Sequence, residues 1–328
     1  MMLWRTNTIA TFCLLLGTVA GAKADKSSDL SKQIDQLVHQ LDDDSFQVRE
    51  EAQRKLVKIG KPALAAVRRA EKHQSAEVRS RSRVIFRQML GPDLVLYLPM
   101  DQRQLVLRQT DSPKCVKDRS ANDGQAMSFP GNGYLIVPDD SELDTDDAFT
   151  LATWIKPTKI KYYRWSGHKD RKDKPTYPWG QRDASWGGHF IACKWDSQGA
   201  NGDYIFAITP SGRLGLGVSN RVRGYVQDSL YTDKELAAGK WVHVASTFDR
   251  GEIKLYIDAE LQCTKQSTLV THTNRREYSK DDIYIGDFWH NLPGVGDEYN
   301  FHGAIDEFCV FSRALSEEQI KRVMSVTK

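Results

Sequence analysis

KWVHVASTFDRGEIKLYID, residues 240–258, reads as two strands joined by a turn. Val242, Val244 and Ser246 alternate with Trp241, His243 and Ala245, the period of a strand with one face buried. Asp249-Arg250-Gly251 interrupts the run with turn residues, and IKLYID returns as the hairpin partner. His243 is therefore expected to be packed or hydrogen-bonded in the sheet, not reactive. At the following turn, Asp258-Ala259, alanine stands where a type I′ hairpin prefers glycine.

The same grammar continues outward from Gly91-Pro92. DLVLYLPM, GYLIVP, FTLATWIKP, HFIACKW, DYIFAITP, RLGLGVS, DIYIGDF and AIDEFCVF are short β-rich runs separated by turn residues. Many strands without intervening helices predict an all-β sandwich. The order of four stretches resembles the laminin-G-like, concanavalin A-like jelly roll: 116–138, 149–157, 240–262 and 301–323, which together with the runs between them span residues 92–326. The resemblance implies a mainly β jelly-roll sandwich. It leaves function open among lectins, adhesion modules, carbohydrate-binding modules and glycosidases. After the last strand, LSEEQIKRVMS predicts a short helix capped by Ser316, with acids in its first turn.

Residues 29–90 carry a different pattern. Ile34, Leu37, Val38 and Leu41 fall on one helical face, and Val48, Ala52, Leu56 and Ile59 on another. Gly60 stops that helix and Pro62 suits the start of the next. SFQVREEAQRKLVKIG and SAEVRSRSRVIFRQML align with Val48-Arg49 on Val78-Arg79. Helical pairs at this period resemble HEAT-like repeats. Two repeats are few for a solenoid, so this segment is expected to lean either on the second domain or on a protein partner.

Residues 1–24 read as a secretory signal: Arg5, an apolar run to Val19, and Ala-Lys-Ala at 22–24. The chain is accordingly expected in the periplasm, at the cell surface or outside the cell. No other run is long and apolar enough for a transmembrane segment. Forty-six Lys and Arg against 43 Asp and Glu give a net charge of +3, so bulk charge does not mark a polyanion binder, and nucleic acid is not an expected partner. Cys115, Cys193, Cys263 and Cys309 remain after the signal, an even number that points to at least one disulfide, with buried thiols as the alternative. None sits at zinc-site spacing.

Candidate chemistry follows from three places. ELDTDD at 142–147 precedes a strand and reads as a solvated turn, so no residue is assigned a catalytic role. Calcium is a candidate cofactor: Asp118 and Asn122 in KDRSANDG supply hard oxygen ligands, as loops of related jelly rolls do. Asp306 alternates with Phe308 and Val310 and so is expected on their inward face, where it needs a metal, a backbone donor or a basic group. Finally, some thirty residues separate FTLATWIKP from HFIACKW, where the resemblance implies about a dozen. Thr158 to His189 holds eight Lys or Arg against three Asp, an excess of five. Tyr162, Tyr163, Trp165, Trp179 and Trp186 offer faces for sugar rings. Lys169, Arg171, Lys172 and Lys174 offer charge for sulfate or carboxylate groups. The sequence thus points to an exported, non-enzymatic binding or adhesion protein whose partner is carbohydrate or an extracellular glycan, anionic in one version. A protein-interaction scaffold and a glycoside hydrolase of the concanavalin A-like class are the alternatives.

Overall fold

The computed structural model describes residues 18–71, 73–100, 108–109, 113–119, 126–131, 133–144, 147–160, 189–195, 202–209, 211–219, 228–267, 269, 282–286 and 300–327. It divides into two compact units, Met1–Met89 and Leu90–Lys328.

The first unit is helical: α1 Thr18–Gln40, α2 Phe46–Ile59, α3 Lys61–Ala70 and α4 Ala76–Leu90. The apolar stripes become its core, with Ile34, Leu37, Leu41, Ala52, Leu56, Val67, Val78 and Ile85 buried. Gly60, at φ 68°, closes α2 by donating its N–H to Leu56 O, and Pro62 stands in the first turn of α3. The internal repeat is visible as shared hydrogen bonding. Arg49 Nη1 reaches the carbonyls of Asp43 and Asp44, and Arg79 Nη1 those of His73 and Gln74. Each arginine ties its helix to the loop before it. Helix α1 runs without a break through Ala22–Ala24. Among the described residues no helix is long and apolar enough to cross a membrane.

The second unit is a two-sheet sandwich whose ladders among the described residues are antiparallel, beside one isolated parallel bridge, Phe190–Asn300. Its strands are β1 Leu94–Leu98, β2 Arg108–Gln109, β3 Lys114–Val116, β4 Ala126–Pro130, β5 Leu135–Val137, β6 Ala148–Pro157, β7 His189–Trp195 and β8 Gly202–Ile208. They continue with β9 Arg213–Val218, β10 Asp228–Glu235, β11 Val242–Asp249, β12 Glu252–Ile257, β13 Glu260–Gln266, β14 Ile283–Ile285 and β15 His302–Phe311. Sheet A runs β13-β12-β11-β6-β15-β4-β3, with β1 also on β15; sheet B runs β10-β9-β8-β7-β14-β5-β2. The opening stretch is β11 and β12, paired from Val244–Ile257 to Asp249–Glu252. Val242, Val244, Phe248, Ile253 and Leu255 face the inter-sheet core with Phe149, Leu151, Ile155, Tyr204, Phe206, Leu214 and Leu216. At the Asp258-Ala259 turn both residues take positive φ, 51° and 60°, so the chain makes the tight turn with alanine in the left-handed region. Asp258 helps hold it: its N–H donates to His243 O, and its Oδ1 accepts from His243 N–H.

The helix expected after β15 is α5, Glu317–Thr327. Ser316 Oγ accepts from Gln319 N–H while Gln319 Oε1 accepts from Ser316 N–H, a reciprocal capping box. Ile320, Val323 and Thr327 are its buried residues.

The disulfide expectation is corrected. No two of the four cysteines are joined. Cys263, Cys309 and Cys115 lie on β13, β15 and β3 of sheet A, whose strands are separated by at least one other. Two strand spacings are about 10 Å, beyond the roughly 7 Å that a disulfide spans. Cys193 is in the other sheet and packs among Phe190, Ile205 and Tyr284 on its outer face.

Candidate functional site

Three places in the sandwich gather polar or aromatic side chains. The first lies on the outer face of sheet A. His243, Trp154 and Asp306 stand side by side on β11, β6 and β15, since His243 pairs with Trp154 and Trp154 with Asp306. Asp306 was expected on the inward face with Phe308. The register shifts between Asp306 and Cys309, and Glu307 takes φ 56° as the extra residue of a β-bulge. The bulge reverses the alternation, so Ile305 and Phe308 face the core and Asp306 turns away from it.

Arg119 covers this row. Its guanidinium lies 4.6 Å from the Trp154 ring centroid and 5.8 Å from that of Trp241, donating to Asp306 Oδ2 and to Thr327 O near the end of α5. Trp154 Nε1 donates to Thr327 Oγ1 at 3.1 Å. Burial pushes the Asp306 carboxyl up to about 8, the neighbouring Glu307 and Asp118 adding to it against the pull of Arg119. His243, edge-on to Trp154 with ring centroids 5.3 Å apart, is held neutral by burial, its pKa lowered to about 3. It is packed, as the strand pattern predicts. Of the partners open to Asp306, the structure supplies the basic group. A calcium ion fits poorly at this carboxylate, where a guanidinium already stands. Among the described residues no three His, Cys, Asp or Glu gather closely enough to hold a metal. Asn122 lies outside the described residues.

The second place is the pair of ends of β7. At one end His189, the first described residue after the long insertion, donates its Nδ1–H to Asn300 O, 2.7 Å away, since a carbonyl can only accept. Its ring meets His302 edge-to-face at 5.3 Å, and burial lowers its pKa. Asn300 Nδ2 donates to Gly131 O, and a side chain at Gly131 would collide with the His302 ring, 1.9 Å from an added Cβ. Thr158 N–H donates to His302 O, so both stems of the insertion meet here. Tyr162, Tyr163, Trp165, Lys169, Arg171, Lys172, Lys174, Trp179 and Trp186 all lie outside the described residues.

At the other end of β7, Lys194 is fully buried. Its Nζ is 2.5 Å from Asp144 Oδ1, 3.7 Å from Asp139, 3.8 Å from Asp203 and 3.0 Å from Leu143 O. Sequence reading missed this hub. It took 142–147 as a solvated turn, whereas Asp144 reaches inward. The available signal was a lysine inside the apolar run HFIACKW.

The third place is the outer face of sheet B. Strand registers set Phe190, Ala207, Gly215 and Tyr231 in one row across β7 to β10, and Cys193, Ile205, Gly217 and Ser229 in the next. Tyr134, Ile136 and Tyr284 extend this apolar face over β5 and β14. It is buried from Phe190 to Gly215 and partly exposed at Tyr231 and Ser229, on the margin strand β10.

Residues 129–321 match the family model described as the concanavalin A-like lectin/glucanases superfamily, Laminin_G_3, and the chain belongs to that superfamily. Among solved structures it is similar to one of botulinum neurotoxin type C, whose cell entry is described as dependent on interaction with two ganglioside molecules. The TM-score is 0.51 at 14% identity, over 73% of this chain and 52% of that one. It is also similar to the binding domain of botulinum neurotoxin serotype D/C, with TM-score 0.50 at 14% identity, over 72% of this chain and 53% of that one. The chain thus spans about half the length of these structures, and at such identity the likeness is one of fold. No curated protein matches the chain.

Proposed function

We propose that the protein is an exported glycan-binding module, recognising carbohydrate or an extracellular glycan through its sandwich. The observation that carries this reading is the superfamily match over residues 129–321, on an unbroken two-sheet scaffold. The botulinum type C structure, from a toxin described as interacting with gangliosides, supports a binding role for such a scaffold. The 158–189 insertion is the proposed recognition surface, rooted at the His189–His302 pair. Trp165, Trp179 and Trp186 stack on sugar rings, Tyr162 and Tyr163 assist, and Lys169, Arg171, Lys172 and Lys174 meet anionic groups. The helical unit, read as HEAT-like, is the proposed docking segment for a protein partner. The signal at 1–24 directs export. Calcium belongs to the proposal only in the 117–124 stretch, with Asp118 and Asn122 as ligands, because Asp306 is engaged by Arg119.

A glycan array probed with the mature protein tests the reading, followed by Trp179→Ala, Trp186→Ala and a variant neutralised at the four basic positions. Loss of binding in the tryptophan variants at an unchanged melting transition supports the insertion. Loss of salt sensitivity on neutralisation identifies an anionic glycan. An array with no bound glycan overturns the reading. For calcium, excess chelator lowers the melting temperature if the ion is bound, since a ligand of the folded state alone stabilises it; an unchanged curve removes calcium from the proposal.

A further inference from the structure

We propose that Phe46, at the start of α2, anchors a docking face for a basic protein segment, one that sets a Lys or Arg beside an apolar side chain. The inference rests on the reading of the helical unit as a docking segment. Phe46 is 58% exposed, the most exposed large apolar side chain among the described residues. The internal repeat shows that folding does not need a ring there. SFQVR aligns on SAEVR, so Phe46 stands where α4 has Ala76, and both helices begin at that position. An aromatic ring left in water, where alanine serves elsewhere in the same unit, is the kind of side chain that anchors interfaces.

The ring is held before any partner arrives. The guanidiniums of Arg49 and Arg81 each lie 5.8 Å from its centroid. Both are pinned: Arg49 by the carbonyls of Asp43 and Asp44, Arg81 by Glu50 and Gln53, and both by Glu77. A side chain fixed in place loses little rotamer entropy on docking. Val84, three residues after Arg81 on α4, lies beside it on the helix surface and is 43% exposed. The charge around the ring names the partner. The side chains of Arg49 and Arg81 are 20% and 12% exposed, those of Glu77 and Glu50 43% and 48%. The bases are thus turned under and the acids outward. Asp43 and Asp44, just before α2, are exposed as well. An aromatic centre with a carboxylate rim is complementary to a cation, and an incoming Lys or Arg meets both rim and ring.

Fluorescence anisotropy with the whole chain and labelled peptides tests the face. One set of peptides alternates Lys or Arg with Leu, a second has Glu in place of the bases, and a third has Ser. The basic set binds and the other two do not. Phe46→Ala weakens binding about tenfold or more at an unchanged melting transition, whereas Phe46→Trp keeps an aromatic face and stays within about threefold. Phe46→Leu serves if Phe46→Ala does not fold. Asp43→Asn with Asp44→Asn weakens binding less and flattens its salt dependence. Failure of the basic set to bind the wild type, equal binding of the acidic set, or an affinity unchanged in a folded Phe46→Ala or Phe46→Leu variant overturns the proposal. Hydrogen exchange separates this outcome from that of the wider reading. Peptide protection confined to α1 and α3, with Phe46→Ala unchanged, leaves the docking segment standing and removes Phe46 from it. Protection confined to the sandwich removes both. A wild-type dimer that Phe46→Ala dissociates in sedimentation equilibrium gives the face to a second copy and likewise overturns the proposal.

Discussion

Arg119 and Lys194 both bring a positive charge into the sandwich, and they are kept there by different means. The Arg119 side chain is 10% exposed and that of Lys194 is 0%. Arg119 lies against the Trp154 face, with the Thr327 carbonyl and one direct carboxylate partner, Asp306. Lys194 has no aromatic face among its described contacts; three aspartates and the Leu143 carbonyl surround it. The difference follows from the head groups. A guanidinium is planar and weakly hydrated, so a ring can replace part of its water. An ammonium is a compact, strongly hydrated point charge, and only oxygens replace that hydration. One site therefore joins a helix to a sheet through stacking. The other gathers the 139–144 segment and the start of β8 around a single charge.

Removing each cation sharpens the contrast. Lys194→Met leaves Asp139, Asp144 and Asp203 crowded without their base, and the expected loss is about 3–5 kcal/mol in denaturant unfolding. Arg119→Met costs less, about 2–3 kcal/mol, because Asp306, already pushed toward its protonated form, sheds its charge by taking up a proton. Equal losses at the two sites, or the reverse order, would break the distinction between them.

The fold was legible in the sequence to the extent that alternation is local. The β11–β12 hairpin, the core face of Val242, Val244 and Phe248, and the Ser316 cap were all readable, because each depends on residues a few positions apart. Asp306 was misplaced because one inserted residue, Glu307, resets every side chain beyond it. A bulge held by a non-glycine residue carries no compositional mark. The cysteines misled in a different way: an even count is a statement about compartment, whereas bonding depends on which strands become neighbours. Arg119 and Lys194 find their partners 187 and 50 residues away, so no spacing rule could have joined them. The insertion was recognised from its length and composition, and its anchoring histidines only once β7 and β15 were brought together.

Acid and base separate the same polar row more gently. The folded pKa of Asp306 lies above its unfolded value of 3.8, so its contribution is fully present below about 4 and is lost as the pH rises toward 8. His243 does the opposite, because its folded pKa lies below 6.5: stability falls as the pH drops from 6.5 toward 3. Each slope approaches about 1.4 kcal/mol per pH unit. They oppose one another between about 4 and 6.5, and above 6.5 the Asp306 decline stands alone. Asp306→Asn removes that decline, and His243→Phe removes the acid-side loss, to which the buried His189 still adds. Urea titrations of the three proteins across this range check the pattern. An Asp306→Asn variant that keeps the full alkaline decline would show that another group carries it.

The smallest expected effect asks whether Arg119 holds α5 as a whole or only its last turn. Arg119 and Trp154 grip the helix at Thr327, while Ser316 and Gln319 cap the opposite end. Ser316→Ala opens the capping box and should cost about 1 kcal/mol in the wild-type background. If α5 docks as one unit, Arg119→Met already loosens the helix from the sheet, and the cap then has less ordered structure to stabilise. The second substitution should cost clearly less in that background, with a coupling of at least about 0.5 kcal/mol. If Ile320 and Val323 hold the helix on their own, the two losses add, as they do for distant sites without shared partners. Additivity in the double-mutant cycle would confine the role of Arg119 to the Trp154–Asp306 row. Coupling would make the guanidinium the clasp of the whole helix, a long-range role that Lys194, tied to the turn and strand end around it, does not have.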